Sequence, residues 1–404
     1  MALALLAASC VNDDSDLDAL LAAGGKSQPD EETVVPVEIE WDESELAEDA
    51  DVPVTDPTDP AYNDYEENGT WSYTVYVAYD GDDVQVTGNT SRVTVTHDGA
   101  HVTIVSTRTN INYVLSGQSD NGSFKIYSDH KFKLTLNGLT LTNPNGAAIN
   151  NQGGKSLYLV RADGTTNALA DGTTYADVAD EDQKGTFFSE GQIIVSGHGK
   201  LNVMATGRHG LVSDDYIRVR PGSRISISAT SGHGIKVNDG LWIDGGVLNV
   251  TTSAAGAKGI KSDAPIAVSG GRTTIITTGG VAITPATTTL LADTSACAAI
   301  KCDSAITVTA GALLLKSTGE GGKGINTNTD LTISGGKVTV VTTGIKGNAS
   351  PKGIRSDGTT TITGGYVYSY SAAASPLDAA GGLVLATGYA TYETLARRVI
   401  VSYE

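Results

Sequence analysis

The sequence predicts an all-β chain whose body is a single-stranded parallel β-helix, a solenoid with coils of about 25 residues. Three observations carry this. A five-residue unit recurs as Gly210-Leu-Val-Ser-Asp214, Gly234-Ile-Lys-Val-Asn238, Gly259-Ile-Lys-Ser-Asp263, Ala299-Ile-Lys-Cys-Asp303, Gly324-Ile-Asn-Thr-Asn328 and Gly353-Ile-Arg-Ser-Asp357, at intervals of 24, 25, 40, 25 and 29 residues. Each unit is followed by two short alternating stretches around a small-residue turn, as in Ile266-Ala-Val268, Gly270-Gly271 and Thr273-Thr-Ile275. Only 4 Phe and 2 Met accompany abundant Val, Ile, Leu, Thr and Ala, the side chains of stacked strands rather than of packed helices.

The N-terminus comes first. Residues 1–10 are apolar and end in Ala7-Ala8-Ser9-Cys10, too short a run to cross a bilayer. The run resembles the end of a bacterial lipoprotein signal, which implies that Cys10 accepts lipid. The acidic residues after it, Asn12-Asp13-Asp14-Ser15-Asp16, resemble a signal for export to the outer face of the outer membrane. The expected location is therefore the cell outer membrane of a Gram-negative bacterium, as a surface-exposed lipoprotein touching the membrane only through its lipid.

Residues 11–70 follow. They hold 20 of the 46 Asp and Glu against one basic residue, Lys26, so the net charge of −19 lies in this segment and the rest balances at 26 of each sign. With so little apolar content the segment is expected to be a disordered, self-repelling tether. A neutral body gives no reason to expect nucleic-acid binding.

Residues 71–404 form the expected folded domain. Residues 84–160 show looser strand patterns, as an end cap does, and residues 188–203 already follow the repeat. In the regular coils, alternation points Ile260, Ile266, Val268 and Ile275 inward above Ile235, Leu241, Ile243, Leu248 and Val250 of the preceding coil, ~4.8 Å away. Gly-Gly pairs at 245–246, 270–271, 335–336 and 364–365 stand where the chain must turn sharply. The 40-residue interval contains an insertion, residues 279–296, expected to project from a turn. Cys297 and Cys302 lack the spacing of a metal or redox pair and read as small core residues.

Several segments together carry a family resemblance: Tyr113-Val-Leu-Ser-Gly117, Leu134-Thr-Leu-Asn-Gly-Leu139, Ala147-Ala-Ile149, Ala162-Asp-Gly-Thr-Thr-Asn167, Phe188-Ser189 and the Gly-Ile-Lys-Ser-Asp units. In order and spacing, from about Val84 to Tyr370, they resemble the carbohydrate-binding β-helix family of bacterial cell-surface proteins. The resemblance implies a right-handed helix akin to pectate lyases, bound calcium, and binding of cellulose-like or acidic plant polysaccharide without established cleavage. The sequence departs from that pattern at Val212, Asn326 and Asn328, and in the insertion.

Stacking creates outward columns. Lys236, Lys261, Lys301 and Arg355 share one position; Asp214, Asn238 or Asp239, Asp263, Asp303, Asn328 and Asp357 share another; His209, His233, Lys258, Lys323 and Lys352 precede the glycine. Carboxylates ~4.8 Å apart repel by roughly 1 kcal/mol even in water, so neighbouring Lys and Arg or a hard cation must offset them. Candidate Ca2+ ligands are Asp214, Asp215, Asp239, Asp263, Asp303 and Asp357, with Asp180 and Asp182 from the acidic loop 177–182; Asp80, Asp82 and Asp83 form another acidic turn. Candidate sugar contacts are the six lysines, Arg355, the outward Trp242, and Tyr366 and Tyr368, which alternate on one strand with Tyr370.

The expected function is thus a calcium-containing, surface-anchored, non-catalytic protein, its basic positions reading as repeated and solvated rather than secluded, that binds uronate-rich or cellulose-like glycan as a monomer or within an uptake assembly. Two other classes compete: a calcium-dependent lyase using a Lys or Arg base, for which nothing selects one residue, and a structural adhesin.

Overall fold

A computed structural model of the chain describes residues 3–6, 35–42, 44, 46, 50–286 and 292–403; Cys10, the expected lipid acceptor, lies outside these residues. Among them the chain is all-β, a parallel solenoid of about 11 turns with two short 3-10 turns, Pro60–Asp64 and Glu66–Asn68.

Each regular coil contributes three strands. The first contains the repeated motif and stacks as Gly185–Ser189, His209–Ser213, Ile235–Val237, Lys258–Ser262, Ala298–Cys302, Lys323–Thr327 and Lys352–Ser356. We call this the motif sheet. A short strand follows, as in Ile217–Val219, Leu241–Ile243 and Ile266–Val268. A longer strand closes the coil, as in Lys200–Ala205, Arg224–Ala229, Val247–Thr252, Arg272–Thr277, Ala312–Ser317, Lys337–Thr342 and Tyr366–Ser371. The pairing is parallel and in register, so Ile235, Ile260, Ile300, Ile325 and Ile354 stand above one another, all fully buried. One continuous core runs the length of the solenoid and takes in every inward position expected from alternation.

The Gly-Gly turns join the short strand to the long one. Gly271 has φ +72, and a Cβ there would lie 2.5 Å from the Gly246 carbonyl oxygen of the coil beside it, so both conformation and space require glycine. Two antiparallel hairpins begin the fold, Tyr73–Asp80 with Asp83–Gly88 and Val93–Asp98 with Ala100–Ser106; another, Thr391–Leu395 with Arg398–Ser402, closes it against Tyr366–Ser371. These cover strand edges that would otherwise invite pairing between chains. The insertion projects as expected, with Ala282–Thr284 paired antiparallel to Asp293–Ser295 in a sheet of its own. Cys297 and Cys302 are buried free thiols.

One expectation needs correction. Charge arithmetic leads one to expect no structure through residue 70, yet the described residues from Val35 onward lie along the outer face of the solenoid. Ile39 is 3% exposed and packs with Val341, Tyr368 and Tyr370. Asp42 pairs with Arg272 at 3.1 Å, Asp64 with Arg218 at 3.0 Å, and Asp51, Glu66 and Glu67 converge on Arg220 at 2.8, 2.8 and 2.9 Å. The carboxylates that would repel one another in a free chain are instead distributed over arginines of the body. A local charge count sees only the first half of that interaction.

Candidate functional site

The motif sheet holds the lysine column in the expected register. Lys236 pairs in register with Lys261, Lys261 with Lys301, Lys301 with Asn326, and Asn326 with Arg355, each half-buried at its stem. Strand spacing therefore sets these cations ~4.8 Å apart along one line.

The acidic column beside it is neutralised mainly by these cations. Lys261 bonds both Asp263 and Asp303; Lys301 reaches Asp303 at 2.9 Å and the Asn328 amide oxygen; Arg355 binds Asp357 at 2.6 Å and Asn326 at 3.2 Å. Amides separate carboxylates within the column: Asn328 Nδ2 donates to Asp303 at 3.0 Å and Asn238 Nδ2 to Asp214 at 3.3 Å. Burial opposes the charge on Lys261, but the bonds to Asp263 and Asp303 outweigh it and raise its pKa. Burial likewise pushes Asp303 upward, yet Lys261 and Lys301 bring its pKa below the ordinary value. Lys236 makes no ion pair among the described residues, so its ammonium faces solvent with its donors available.

The column before the glycine is not the solvated basic row its composition suggests. Lys258 is 7% exposed and spends its ammonium on the Gly256 carbonyl and Ser295 hydroxyl, at 2.5 and 2.8 Å. Lys323 donates to the Gly321 carbonyl, and burial, followed by the charges of Arg355, Lys258, Lys352 and Lys301, lowers its pKa to about 8. Lys352 pairs with Asp378 at 3.2 Å. This position lies where the chain folds back from the preceding turn, so the side chains are enclosed.

The aromatic candidates divide. Trp242 does point outward but is half-buried, edge-on to Tyr216 at 5.2 Å, and the Tyr216 hydroxyl donates to Asp64. Tyr366 is half-buried beside the Lys337 ammonium. Tyr368 is 4% exposed, covered by the N-terminal segment, so the reading of it as an open sugar platform is corrected.

Two of the eight expected metal ligands, Asp182 and Asp214, are brought together, with Glu190 as a third carboxylate. Asp182, Glu190 and Asp214 each offer an oxygen within 4.8 Å of the others. Three carboxylates are a suitable donor set for a hard divalent cation. Lys184 reaches the same group, bonding Asp182 at 2.7 Å and also Asp214. Burial and the charge of Asp214 raise the pKa of Glu190. Glu190 was missed as a ligand although it holds the Asp214 position one coil earlier: Ser189 pairs in register with Ser213, so the residue after each strand falls in the same column. Asp215 turns elsewhere, accepting from Gln192 at 2.6 Å and from the Tyr216 amide at 2.9 Å. Asp180, Asp239, Asp263 and Asp357 are exposed and do not join the cluster.

The fold and its rows define a β-solenoid with polar, periodic outer faces. Residues 93–395 match the family described as carbohydrate-binding domain-containing protein, and the chain belongs to that family. A protein so described from Acetivibrio thermocellus is 26% identical over 121 residues, 29% of this chain; the chain spans about 42% of the length of that relative. A solved polysaccharide lyase-like protein from C. thermocellum, in its gadolinium derivative, superposes with a TM-score of 0.41 at 17% identity, covering 78% of this chain and 98% of that one.

Proposed function

We propose that the chain binds an extended, carboxylate-bearing polysaccharide along the motif sheet without cleaving it. The observation that carries this reading is the in-register line from Lys236 through Lys261 and Lys301 to Arg355. A polymer of uronate residues offers a carboxylate at every repeat, and the row offers a cation on three successive coils and again, past Asn326, at Arg355. Lys236 supplies a cation with no internal carboxylate, whereas Lys261 and Lys301 each meet three acceptors already and bind a ligand carboxylate by exchanging one of them. Catalysis by the row itself is disfavoured because a proton-abstracting base needs seclusion and a lowered pKa, whereas Lys261 is held charged by two carboxylates; Lys323, whose pKa is lowered, lies in the enclosed column beside the row.

The proposal includes calcium at Asp182, Glu190 and Asp214, supported by the donor set, with the Lys184 ammonium swinging out as the ion enters. It also includes lipid attachment at Cys10 and display on the outer membrane, supported by the sequence of residues 1–16 alone.

Incubation with polygalacturonate and calcium tests the central claim. Retention without ultraviolet-absorbing unsaturated product is expected, and changing Lys236, Lys261 and Lys301 together to Ala should weaken retention. Product formation would replace the reading with a lyase, and no retention would favour the adhesin. Palmitate labelling lost in Cys10→Ala would support the anchor.

A further inference from the structure

The outer face of the long strands differs in kind from the lysine row. Its central outward position reads Ser226, Asn249, Thr274, Leu314, Thr339 and Tyr368 on successive coils. Asn249, Thr274 and Thr339 are at most 5% exposed, yet among the described residues Asn249 Oδ1, Thr274 Oγ1 and Thr339 Oγ1 have no hydrogen-bond partner, nor does Arg272 Nε close by. A buried polar atom left unpaired costs about 1–3 kcal/mol. A cover shaped only to close this face would pair such atoms or replace them with carbon.

The cover is the N-terminal segment, and what it brings is negative charge. Glu38 sits 3.1 Å from Lys316, and Asp42 pairs with Arg272 while its carbonyl accepts from Asn249 and Arg272, each at 3.1 Å. Further along, Asp51, Glu66 and Glu67 meet Arg220. An acidic strap thus runs along the solenoid axis, one carboxylate after another on cations from different coils. The same columns continue in an open depression lined by Lys200, Asn202, Arg224, Ser226 and Asn249. Asn249 belongs to both the open and the covered parts.

We propose that this outer face is a second glycan-binding face, for a linear polyuronate, and that the strap is its internal stand-in, exchanged for the ligand. A polyuronate supplies what the strap supplies, carboxylates for Arg272 and Lys316, and also what the strap lacks, hydroxyl donors for Asn249 Oδ1 and partners for the two threonines. Because the strap is tethered, its effective concentration is high, and only a ligand that engages several coils at once displaces it. The proposal shares the ligand class of the lysine row and none of its residues.

The test is hydrogen exchange on the full chain with and without saturating polygalacturonate. Faster exchange across residues 35–46 on adding ligand is expected; unchanged or slower exchange there overturns the proposal. Ile39→Asp loosens the strap without touching the face beneath. It should tighten apparent binding by about tenfold, because less of the protein is closed, and Arg272→Ala in that background should remove the gain. If Ile39→Asp fails to fold, exchange on the unaltered chain still decides. The Lys236, Lys261 and Lys301 alanine variant separates the two faces: weakened retention with strap release intact supports both readings, and strap release lost in that variant overturns this one.

Discussion

His209 and His233 stack on adjacent coils with ring centroids 4.6 Å apart and planes within 10°, and His209 Nδ1 accepts the backbone N–H of His233 at 2.8 Å. His233 Nδ1 in turn accepts the N–H of Lys258 at 3.0 Å. Each ring must be unprotonated on the accepting nitrogen. Burial first, then the cations around them, lowers the pKa to about 4 for His209 and about 2 for His233, from 6.5. The unfolded chain therefore takes up protons below 6.5 while the folded chain does not, so stability is full above 6.5 and is lost as pH falls toward 4. The slope is up to about 1.4 kcal/mol per pH unit for each ring. Urea midpoints across that range should fall steeply for the wild type and less for the variant carrying His209→Gln and His233→Gln. Equal slopes would show that the rings do not set the pH dependence.

Lys184 occupies the place a divalent cation would take among Asp182, Glu190 and Asp214. Burial opposes its charge, but bonds to Asp182 and Asp214 raise its pKa. Lys184→Gln should lower thermal stability in EDTA, because it leaves three carboxylates without their ammonium. Calcium should then raise the melting temperature of the variant more than that of the wild type. If calcium shifts neither protein, the metal reading fails.

Arg220 is fully buried and is the shared partner of Asp51, Glu66 and Glu67, with its guanidinium 4.3 Å over the Tyr65 ring. Arg220→Met leaves those carboxylates uncompensated and should cost about 3–5 kcal/mol. Proteolysis should then cut within residues 50–69 before it cuts the solenoid. Glu67→Gln, at a side chain 46% exposed, should cost no more than about 1 kcal/mol. Equal effects of the two would mean that the strap is not held through Arg220.

The coil period, the inward side chains and the lysine row were legible because strand alternation and parallel register are properties of the repeat itself. Asp214 and Glu190 share a column, since Ser189 pairs with Ser213, and that much lay in the repeat; that Asp182 joins them depends on how the loop 177–182 folds over the motif sheet, which no column reports. Tyr368 was legible as outward and not as covered, since its cover comes from Ile39, more than three hundred residues earlier. The docking of the acidic segment was hidden for the same reason: Arg218, Arg220 and Arg272 look like ordinary surface residues until the strap is laid across them.

The motif glycines have a reason that the sequence did not disclose. A Cβ on Gly259 would lie 2.1 Å from Ile275 Cγ2, and Gly210, Gly234 and Gly324 face β-branched Ile227, Val250 and Val340 in the same way. The motif sheet and the long strands approach too closely there for a Cβ on one side and a branched Cβ on the other. The next coil shows the alternative: Ala299 stands in register with Gly259, and Leu315 stands in register with Ile275. Leucine branches one carbon further out and leaves room beside its Cβ. Gly259→Ala should therefore cost about 1–3 kcal/mol by overpacking, and Ile275→Leu in the same chain should recover most of it, a favourable coupling in a double-mutant cycle. Additive losses in the urea midpoint would mean that the Ala299 carbonyl oxygen, 2.7 Å from such a Cβ, rather than Ile275 sets the need for glycine.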